Sequence, residues 1–441
     1  MTAARLLTFS LSLFVTAVLF AQAPQAQTPT TRATEAVTAE TDRDAADPRA
    51  LQLSLDSAVR TSIERNLGVE VQRFESRMAG ENLRGQYGLF DWFASATVTQ
   101  SSSEDPTISL YASGGNRATR ADAAVAQLIP TGGQYRVGWT NSRLKTTGGG
   151  TFVNPAYRSG LQFSFTQPLL RDFGVDVTRR NINIARNTLG LSNEAFRTAL
   201  MNTATNVEQA YLDLVYARRN VEVVKETLFL ARDQSRITQI RIDVGASAPL
   251  DILQPRVQIA TTEESLIGAV ASVRNAEDRL RALLNLPKEE WDRPIVPVDR
   301  VEYEPLTIDT EAAVQQALRL RPELRQLDLT SDTLRIQQLY ARNQMLPTLD
   351  FSVGYGLNGL AGRTIELDDN GDPTGGFRST GYTDTLSQIF GNDFPSWNVG
   401  FNVGVPITNI GARAAARAAE LDLEQTRTDA ERVRQNITVE V

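Results

Sequence analysis

Two kinds of hydrophobic pattern alternate along the chain, and the longer one predicts helices. Between about residues 176 and 244, apolar side chains recur every seven residues in two rows that lie three residues apart. Two rows at this spacing form the seam of a coiled-coil helix. The first row holds Leu200, Val207, Leu214, Val221 and Leu228, and the second holds Ala210, Ala217, Val224 and Ala231. At ~1.5 Å per residue this helix would be on the order of 100 Å long, which exceeds what a globular core needs.

A second segment, from about residue 249 to 286, repeats the pattern. Its rows are Ile252, Ile259, Leu266, Val273 and Leu280, and Thr262, Ala269, Ala276 and Leu283. Gly245 lies between the two segments and favours a chain reversal, because glycine accepts the left-handed conformation that ends many helices. We therefore predict an antiparallel helical hairpin with Val244, Gly245, Ala246 and Ser247 at its tip. Ser247 is predicted to cap the second helix, and Pro255 to kink or delay it.

Shorter segments alternate apolar and small polar residues and predict β-strands. The four segments run from about residues 92 to 99, 161 to 166, 349 to 356 and 397 to 405. One face of each strand is apolar, and the other is small and polar. Both a soluble sandwich and a transmembrane barrel have this pattern.

The helix and strand patterns occur twice, which indicates an internal repeat. The first repeat spans 51–305, and the second spans 306–441. Pro168 and Pro406 each follow a strand just before a helix begins, whereas Pro347 precedes a strand. Because proline cannot continue a strand ladder, we predict that these three residues mark the junctions between barrel and helices. Residues 121–141 resemble an additional hairpin, which either adds two strands or folds over the mouth of the barrel.

The N-terminal segment predicts export from the cytoplasm. Arg5 precedes an apolar run that is too short to span a bilayer, and a small-residue cleavage pattern follows at Ala21 to Ala23. Residues 1–23 are therefore interpreted as a signal peptide. Residues 24–50 are rich in Thr, Ala, Gln and charge, which predicts a disordered extension.

The composition excludes several classes of chemistry. The chain has 441 residues, no cysteine, no histidine and a net charge of −7. It therefore lacks a thiol nucleophile, a serine–histidine triad and a Cys/His zinc site, and it carries no phosphate-binding loop motif. The charge argues against nucleic acid as a partner. Residues 368–379 resemble a calcium loop only superficially, so neither a metal nor another cofactor is expected, and we predict no enzyme activity.

A membrane location of the strands would require several copies of the chain. An open sheet edge in lipid leaves backbone groups unpaired, at a cost of several kcal/mol each. Four to six strands from one chain cannot close a barrel around a usable pore. Several chains would therefore pool their strands in one barrel and their long helices in one helical tube.

Three segments resemble the recurring motifs of TolC-like outer-membrane efflux proteins, namely Leu53–Val59, Val244–Leu253 and Arg279–Pro287. Each motif is degenerate, but their order, spacing and duplication are specific, and the similarity extends from about Leu51 to the end of the chain. The resemblance implies an α+β membrane protein in two tandem repeats, with long antiparallel coiled-coil helices forming a periplasmic tunnel. Each chain would contribute a few strands to a shared, twelve-stranded barrel of a homotrimer in outer-membrane lipid.

The resemblance also implies a function and partners. The channel would export substrates in tripartite efflux or type I secretion, together with a periplasmic adaptor and an inner-membrane transporter. The adaptor would contact the hairpin tip at Val244, Gly245, Ala246 and Ser247. The second repeat stops inside a helical pattern, and the offset between Pro168 and Pro406 places its expected end about 80 residues further on. The acidic gate of the family would lie there.

Two other functions fit the sequence less well. A periplasmic coiled-coil scaffold or adaptor would place a split β-domain around its hairpin, whereas here strand pairs recur before and after the hairpin. A carboxylate enzyme would need two acidic residues in one pocket, whereas the acidic residues here lie mainly in loops and on exposed helix faces.

Overall fold

The structure is a computed structural model that describes residues 48–104, 106, 114–147, 151–300, 305, 308–368 and 373–441. The predicted signal peptide, most of the predicted N-terminal extension and residues 369–372 of the calcium-like loop lie outside these residues. The described chain divides into two compact units. The first unit comprises residues 48–60 and 206–300, and the second comprises the described parts of 61–205 and 301–441.

The fold is rich in helix and contains one large antiparallel sheet, as the sequence predicts. The helices are α1 (Leu55–Arg65), α2 (Leu67–Tyr87), α3 (Val175–Thr178), α4 (Arg180–Asp243), α5 (Leu253–Leu284), α6 (Thr310–Leu320), α7 (Pro322–Asn343), α8 (Tyr382–Gly391) and α9 (Ile410–Glu440). The strands are β1 (Leu51–Leu53), β2 (Phe93–Glu104), β3 (Gly115–Leu128), β4 (Gln134–Thr147), β5 (Val153–Pro168), β6 (Ile295–Pro297), β7 (Thr348–Leu367), β8 (Pro373–Ser379) and β9 (Pro395–Gly404). Within the described part of the chain, no helix has the length and apolar character needed to span a bilayer.

The order of elements repeats, which agrees with the two predicted repeats. A helix of 11 residues and one of 21 residues precede β2, and helices of 11 and 22 residues precede β7. A long helix then follows the last strand of each set, namely α4 after β5 and α9 after β9. Between β7 and β9 the structure adds β8 and α8, and elsewhere it adds the short strands β1 and β6, none of which the alternating pattern predicted.

The core of the first unit is the heptad seam between α4 and α5. Val207, Leu214 and Leu228 of the first predicted row are at most 4% exposed, and Leu266 and Leu280 of the facing helix are fully buried. Small side chains of the second rows, such as Ala210 and Ala269, join the same cluster and allow the helices to approach closely. The short parallel pair of β1 and β6 completes this unit.

The start of α5 corrects two details of the prediction. Residues Pro249–Ile252 form a 3-10 turn, and the α-helix begins at Leu253. The N-cap of that turn is Ala248 rather than Ser247, and the Asp251 carboxylate accepts a hydrogen bond from the Ala248 amide at 3.0 Å. Pro255 lies in the first turn of α5, where a missing amide proton breaks no helical hydrogen bond.

The large sheet belongs to the second unit and has the strand order β2-β3-β4-β5-β7, with β8 and β9 both paired to β7. The additional hairpin predicted at residues 121–141 is part of this sheet, because β3 and β4 pair along their whole length between β2 and β5. β8 and β9 pair with different stretches of β7 and therefore occupy one position in the sheet. The seven strands thus fill six positions, two more than the four per chain that a twelve-stranded trimeric barrel would require.

The helices of the second unit pack against each other through small and polar side chains. Ser76 of α2 donates a hydrogen bond to Asn193 of α4 at 2.6 Å. Gly190 of α4 lies so close to α7 that a Cβ atom there would be 2.9 Å from a methyl group of Leu329. α9 packs along α7.

Candidate functional site

The hairpin tip ends α4 in a hydrogen-bond pattern that requires its glycine. The Gly245 amide donates to the Ile242 carbonyl at 2.9 Å, and the Ala246 amide donates to the Arg241 carbonyl at 2.7 Å. This pair of bonds is the Schellman motif, in which the residue after the C-cap is left-handed. Gly245 has φ +78°, a backbone conformation that L-residues rarely adopt. The predicted reversal at Gly245 is therefore present.

Apolar side chains around the tip are exposed to solvent. The exposed fraction is 73% for Val244, 71% for Leu250 and 63% for Val257. These residues lie within 13 positions of each other, at the end of α4 and the start of α5. Arg241 and Arg256 are exposed beside them. A cluster of exposed apolar residues with a charged rim is typical of a protein-binding surface.

Two ion pairs fix the register of the hairpin below its tip. Arg232 donates to Glu263 at 2.9 Å, and Arg218 donates to Glu277 at 2.8 Å. The two arginines are 14 residues apart, and so are the two glutamates, which is the spacing of two heptads on antiparallel helices. Glu277 also accepts hydrogen bonds from Arg281 at 3.1 Å and from the Ile295 amide at 3.2 Å.

The three junction prolines lie at the same end of the large sheet, where β5 and β9 finish and β7 begins. Pro168 ends β5, Pro347 directly precedes β7, and Pro406 lies two residues after β9. The register pairs Pro168 with Asp350 and Thr348 with Gly404, so these strand ends are neighbours. The junctions that the sequence predicted separately are therefore adjacent in the structure.

Polar residues that the sequence analysis missed hold these junctions together. Asn343, the last residue of α7, accepts a hydrogen bond from the Asp172 amide at 2.8 Å and donates one to the Leu170 carbonyl at 3.2 Å. At the equivalent junction after β9, Asn409 donates to the Met345 carbonyl at 2.9 Å. Asp172 and Asn409 have φ 64° and 46°. Asp and Asn tolerate this left-handed conformation, so an Asp or Asn shortly after a strand-ending proline was the available signal.

The turn between β3 and β4 is anchored on the same junction. The Thr131 carbonyl accepts hydrogen bonds from the Gln167 side chain and from the Gly174 amide, each at 3.1 Å. Gly132 has φ +92°, and a Cβ atom there would clash with the Asp172 carbonyl. Since Gln167 and Gly174 flank the end of β5, the extra hairpin is fixed to the junction as well as to the sheet.

The two faces of the large sheet differ in polarity. In the paired region, apolar side chains share one face across neighbouring strands, as shown by Val125, Val137, Trp139, Leu161, Phe163, Val353, Tyr355, Val399 and Phe401. Many are exposed, including Phe401 at 66% and Trp397 at 77%. The opposite face is small or polar and carries a cavity of about 620 Å³, whose lining includes Arg120, Asp122 and Arg158. An exposed apolar face opposite a polar one is the pattern of a sheet that contacts lipid on one side and water on the other.

Within the residues that the structure describes, no group of three or more acidic side chains is placed to hold a metal ion. Burial, followed by the hydrogen bond of its hydroxyl to Asp299 at 2.9 Å, raises the pKa of Tyr211. The Leu53 carbonyl lies 3.1 Å from the same hydroxyl and is a second acceptor that shares its single proton, so Tyr211 connects α4 to β1, which is a structural role.

An antiparallel sheet with an exposed apolar face, together with long coiled-coil helices, is typical of a membrane protein of the channel class. The family model of the outer membrane efflux protein matches residues 93–286 and 313–441, which is well over half of the chain. The chain belongs to the outer membrane efflux protein family. It is accordingly an outer-membrane protein with a periplasmic helical part, as the sequence predicts. No protein of curated function matches the sequence significantly.

Solved structures of similar fold include CusC, described as forming a transmembrane channel, the outer membrane channel CmeC and the outer membrane protein VceC. CusC is 16% identical with a TM-score of 0.56, and the match covers 89% of this chain and 75% of CusC. CmeC of Campylobacter jejuni is 15% identical with a TM-score of 0.55, over 86% of this chain and 67% of that one. VceC of Vibrio cholerae is 13% identical with a TM-score of 0.56, over 87% and 75%. At these identities the similarity establishes the fold.

Proposed function

We propose that the chain is one subunit of a homotrimeric, passive export channel in the outer membrane. It would receive substrates from an inner-membrane transporter through a periplasmic adaptor, in a tripartite efflux pump or a type I secretion system. Its family membership supports the efflux function. The observation that carries the oligomeric proposal is the large sheet, which has an apolar face and two open edges.

The open edges favour a barrel made from several chains. Among the described strands, β2 pairs with β3 alone and β9 with β7 alone, so each presents a second side without a strand partner there. Unpaired backbone groups cost several kcal/mol each in lipid, and pairing β2 of one copy with β9 of the next would satisfy them. Three copies with six strand positions each would close an eighteen-stranded barrel, a size that leaves an aqueous channel.

The exposed apolar tip supports the proposed adaptor contact. Val244, Gly245, Ala246 and Ser247 would form the centre of that contact, and Leu250 would extend it along the start of α5. A Cβ atom at Gly245 would meet no other atom within 4 Å, so the tip leaves space for a partner. Energy would come from the transporter, which agrees with the absence of a nucleotide-binding motif in the sequence.

The first experiment measures the native mass of the full-length protein after detergent extraction from outer membranes, corrected for bound detergent. We expect three chains per particle, and we expect the particle to conduct ions in planar lipid bilayers. A monomer would contradict the pooled barrel. A protein recovered from the soluble periplasmic fraction would contradict the channel and favour the scaffold function.

The adaptor contact is tested with single cysteines, since the chain has none of its own. Ala246→Cys places a photoactivatable maleimide at the tip, and Gln209→Cys places it at an exposed position on α4 that lies 36 residues before Gly245. In cells that contain the whole export system, we expect the Ala246→Cys protein to crosslink to a periplasmic protein and the Gln209→Cys protein not to. Equal crosslinking at both positions would contradict a specific tip contact.

The junction prolines are proposed to mark the boundary between membrane and periplasm. Phe401 lies before Pro406 on the apolar face, and Ile407 lies just after it with 96% of its surface exposed. In outer membranes, Ile407→Cys should react with a charged maleimide, whereas Phe401→Cys should be protected by lipid. Both should react in denaturing detergent. Rapid labelling of Phe401→Cys in intact membranes would contradict the proposed boundary.

The N-terminal assignments also remain proposals. Residues 1–23 would be removed as a secretory signal, and 24–50 would link the new N-terminus to the first repeat at 51–305, which precedes the second repeat at 306–441. N-terminal sequencing of the protein purified from outer membranes should begin near residue 24. A sequence beginning at Met1 would contradict the cleavage.

A further inference from the structure

Three basic side chains gather on the apolar face of the sheet, near the strand ends remote from the junction prolines. Arg117 of β3 pairs directly with Lys145 of β4, and Arg143 precedes Lys145 by two positions on the same strand. Successive residues of a strand alternate between faces, so all three share the face of Val125 and Val137. An outer-membrane barrel turns its apolar face to lipid, which would place the three cations on the lipid side of the sheet rather than on the polar side.

The direct pair of like charges forms no salt bridge with the described residues. Like charges at directly opposed positions of an antiparallel pair destabilise the sheet. All three side chains are exposed. None forms an ion pair within 4.0 Å with an acidic residue of the described chain. Arg143 lies over the ring of Tyr157, with its guanidinium carbon 5.9 Å from the ring centre, a cation–π contact rather than a salt bridge.

Arg117 and Lys145 also line a polar pocket of about 150 Å³ at the outer end of β2, β3 and β4. Ser102 and Thr147, which share the lipid-side face, contribute hydroxyl groups to its lining. Glu104 is the acidic residue of the pocket, so Arg117, Arg143, Lys145 and Glu104 together carry a net charge of +2. Two cations with hydroxyl donors beside them are suited to the oxygens of a phosphate group.

The height of the cluster matches the outer surface of the membrane. The helices of this family member are periplasmic, so the opposite strand ends face the cell exterior. From Tyr135, near the periplasmic end of β4, ten residues lead to Lys145, or about 33 Å at ~3.3 Å per residue. With a tilt of ~45° this is about 23 Å along the membrane normal, close to the ~25 Å height of an apolar barrel band.

We propose that Arg117 and Lys145, with Arg143 beside them, bind the phosphate groups of lipid headgroups in the outer leaflet. The bound phosphate would supply the counter-charge that the opposed cations lack, and it would fix the vertical position of the sheet in the membrane. Export of substrate is not needed for this binding, so the proposal stands apart from the channel function.

The test uses lipid A, a glycolipid with two phosphate groups, as the probe. Full-length protein in detergent is mixed with lipid A, and bound lipid is counted by native mass spectrometry. Arg117→Gln/Lys145→Gln should retain at least fivefold less lipid A than the unchanged protein. The matched control is Arg120→Gln/Arg158→Gln, which removes two positive charges from the polar face of the same sheet and should leave binding unchanged.

The unchanged protein provides a second test that needs no variant. Dephosphorylated lipid A should bind at least fivefold more weakly than lipid A, and millimolar inorganic phosphate should fail to displace lipid A. Equal retention by both double variants would overturn the proposal, as would equal binding of dephosphorylated lipid A. Displacement by inorganic phosphate would assign the pocket to free anions instead of lipid.

Discussion

Replacing Glu277 with alanine should loosen the helical hairpin far more than an equivalent change two heptads away. Glu277 is 6% exposed and accepts three hydrogen bonds, from Arg218, Arg281 and the Ile295 amide. It therefore connects both hairpin helices to β6. Glu277→Ala leaves the Ile295 amide without its acceptor and removes one carboxylate from Arg281, whose side chain is 8% exposed.

The size of the destabilisation depends on the partners that Arg281 keeps in Glu277→Ala. Breaking a buried ion pair by removing one partner costs about 3–5 kcal/mol. Arg281 keeps Asp278 at 2.7 Å and the Arg293 carbonyl at 2.8 Å, so the lower end of this range applies. We expect the local stability of the hairpin to fall by about 3 kcal/mol, which is on the order of a 100-fold change in the equilibrium between its closed and open forms.

The control is Glu263→Ala, which removes the matching partner of Arg232 from the same helix. Arg232 is 43% exposed, so water replaces much of this ion pair, and the expected loss is about 1 kcal/mol or less. Hydrogen–deuterium exchange of the full-length protein measures both, since amides of α5 and β6 exchange through local opening. If Glu277→Ala accelerated exchange around Ile295 no more than Glu263→Ala does, the proposed role of the buried network would be refuted.

Two further predictions concern the first unit. Gly245→Ala should destabilise the end of α4 by about 1 kcal/mol because alanine is strained at φ +78°. Gly268 lies in α5 with open space around it, so Gly268→Ala should stabilise that helix by about 1 kcal/mol. Hydrogen-exchange rates at the two sites should therefore change in opposite directions. Tyr211→Phe should cost about 1 kcal/mol below pH 10. The pKa of Tyr211 is raised on folding, so its contribution is complete below the ordinary value of 10.0 and is lost as the pH rises through the folded value. In urea unfolding, the difference in the free energy of unfolding between the unchanged protein and Tyr211→Phe should therefore shrink above pH 10. A constant difference up to pH 12 would contradict the stabilising role of the protonated Tyr211 hydroxyl.

The elements that rest on short-range periodicity were predictable. The seven-residue rows predicted α4 and α5, and the buried residues of the seam, such as Leu214 and Leu266, lie on those rows. Alternation predicted the strands and their apolar face. Gly245 predicted the reversal because only glycine accepts its backbone conformation without strain. The end of the second predicted repeat and the role of the tip stay predictions.

Other features depended on contacts between distant parts of the chain. Leu51 pairs with Ile295 across more than 240 residues, and Asp172 meets Asn343 across more than 170. No local pattern encodes such pairings. The polar residues of these junctions therefore looked like ordinary turn residues in the sequence.

The sequence by itself determined the two long helices of the hairpin and four strands with an apolar face, because these follow from periods of 3.5 and two residues. It also determined the family, through the order and duplication of its motifs. Only the tertiary structure decided that β3 and β4 join the sheet, and that Arg117 stands opposite Lys145. Strand register sets which side chains are neighbours, and register depends on pairing partners that a single strand does not specify.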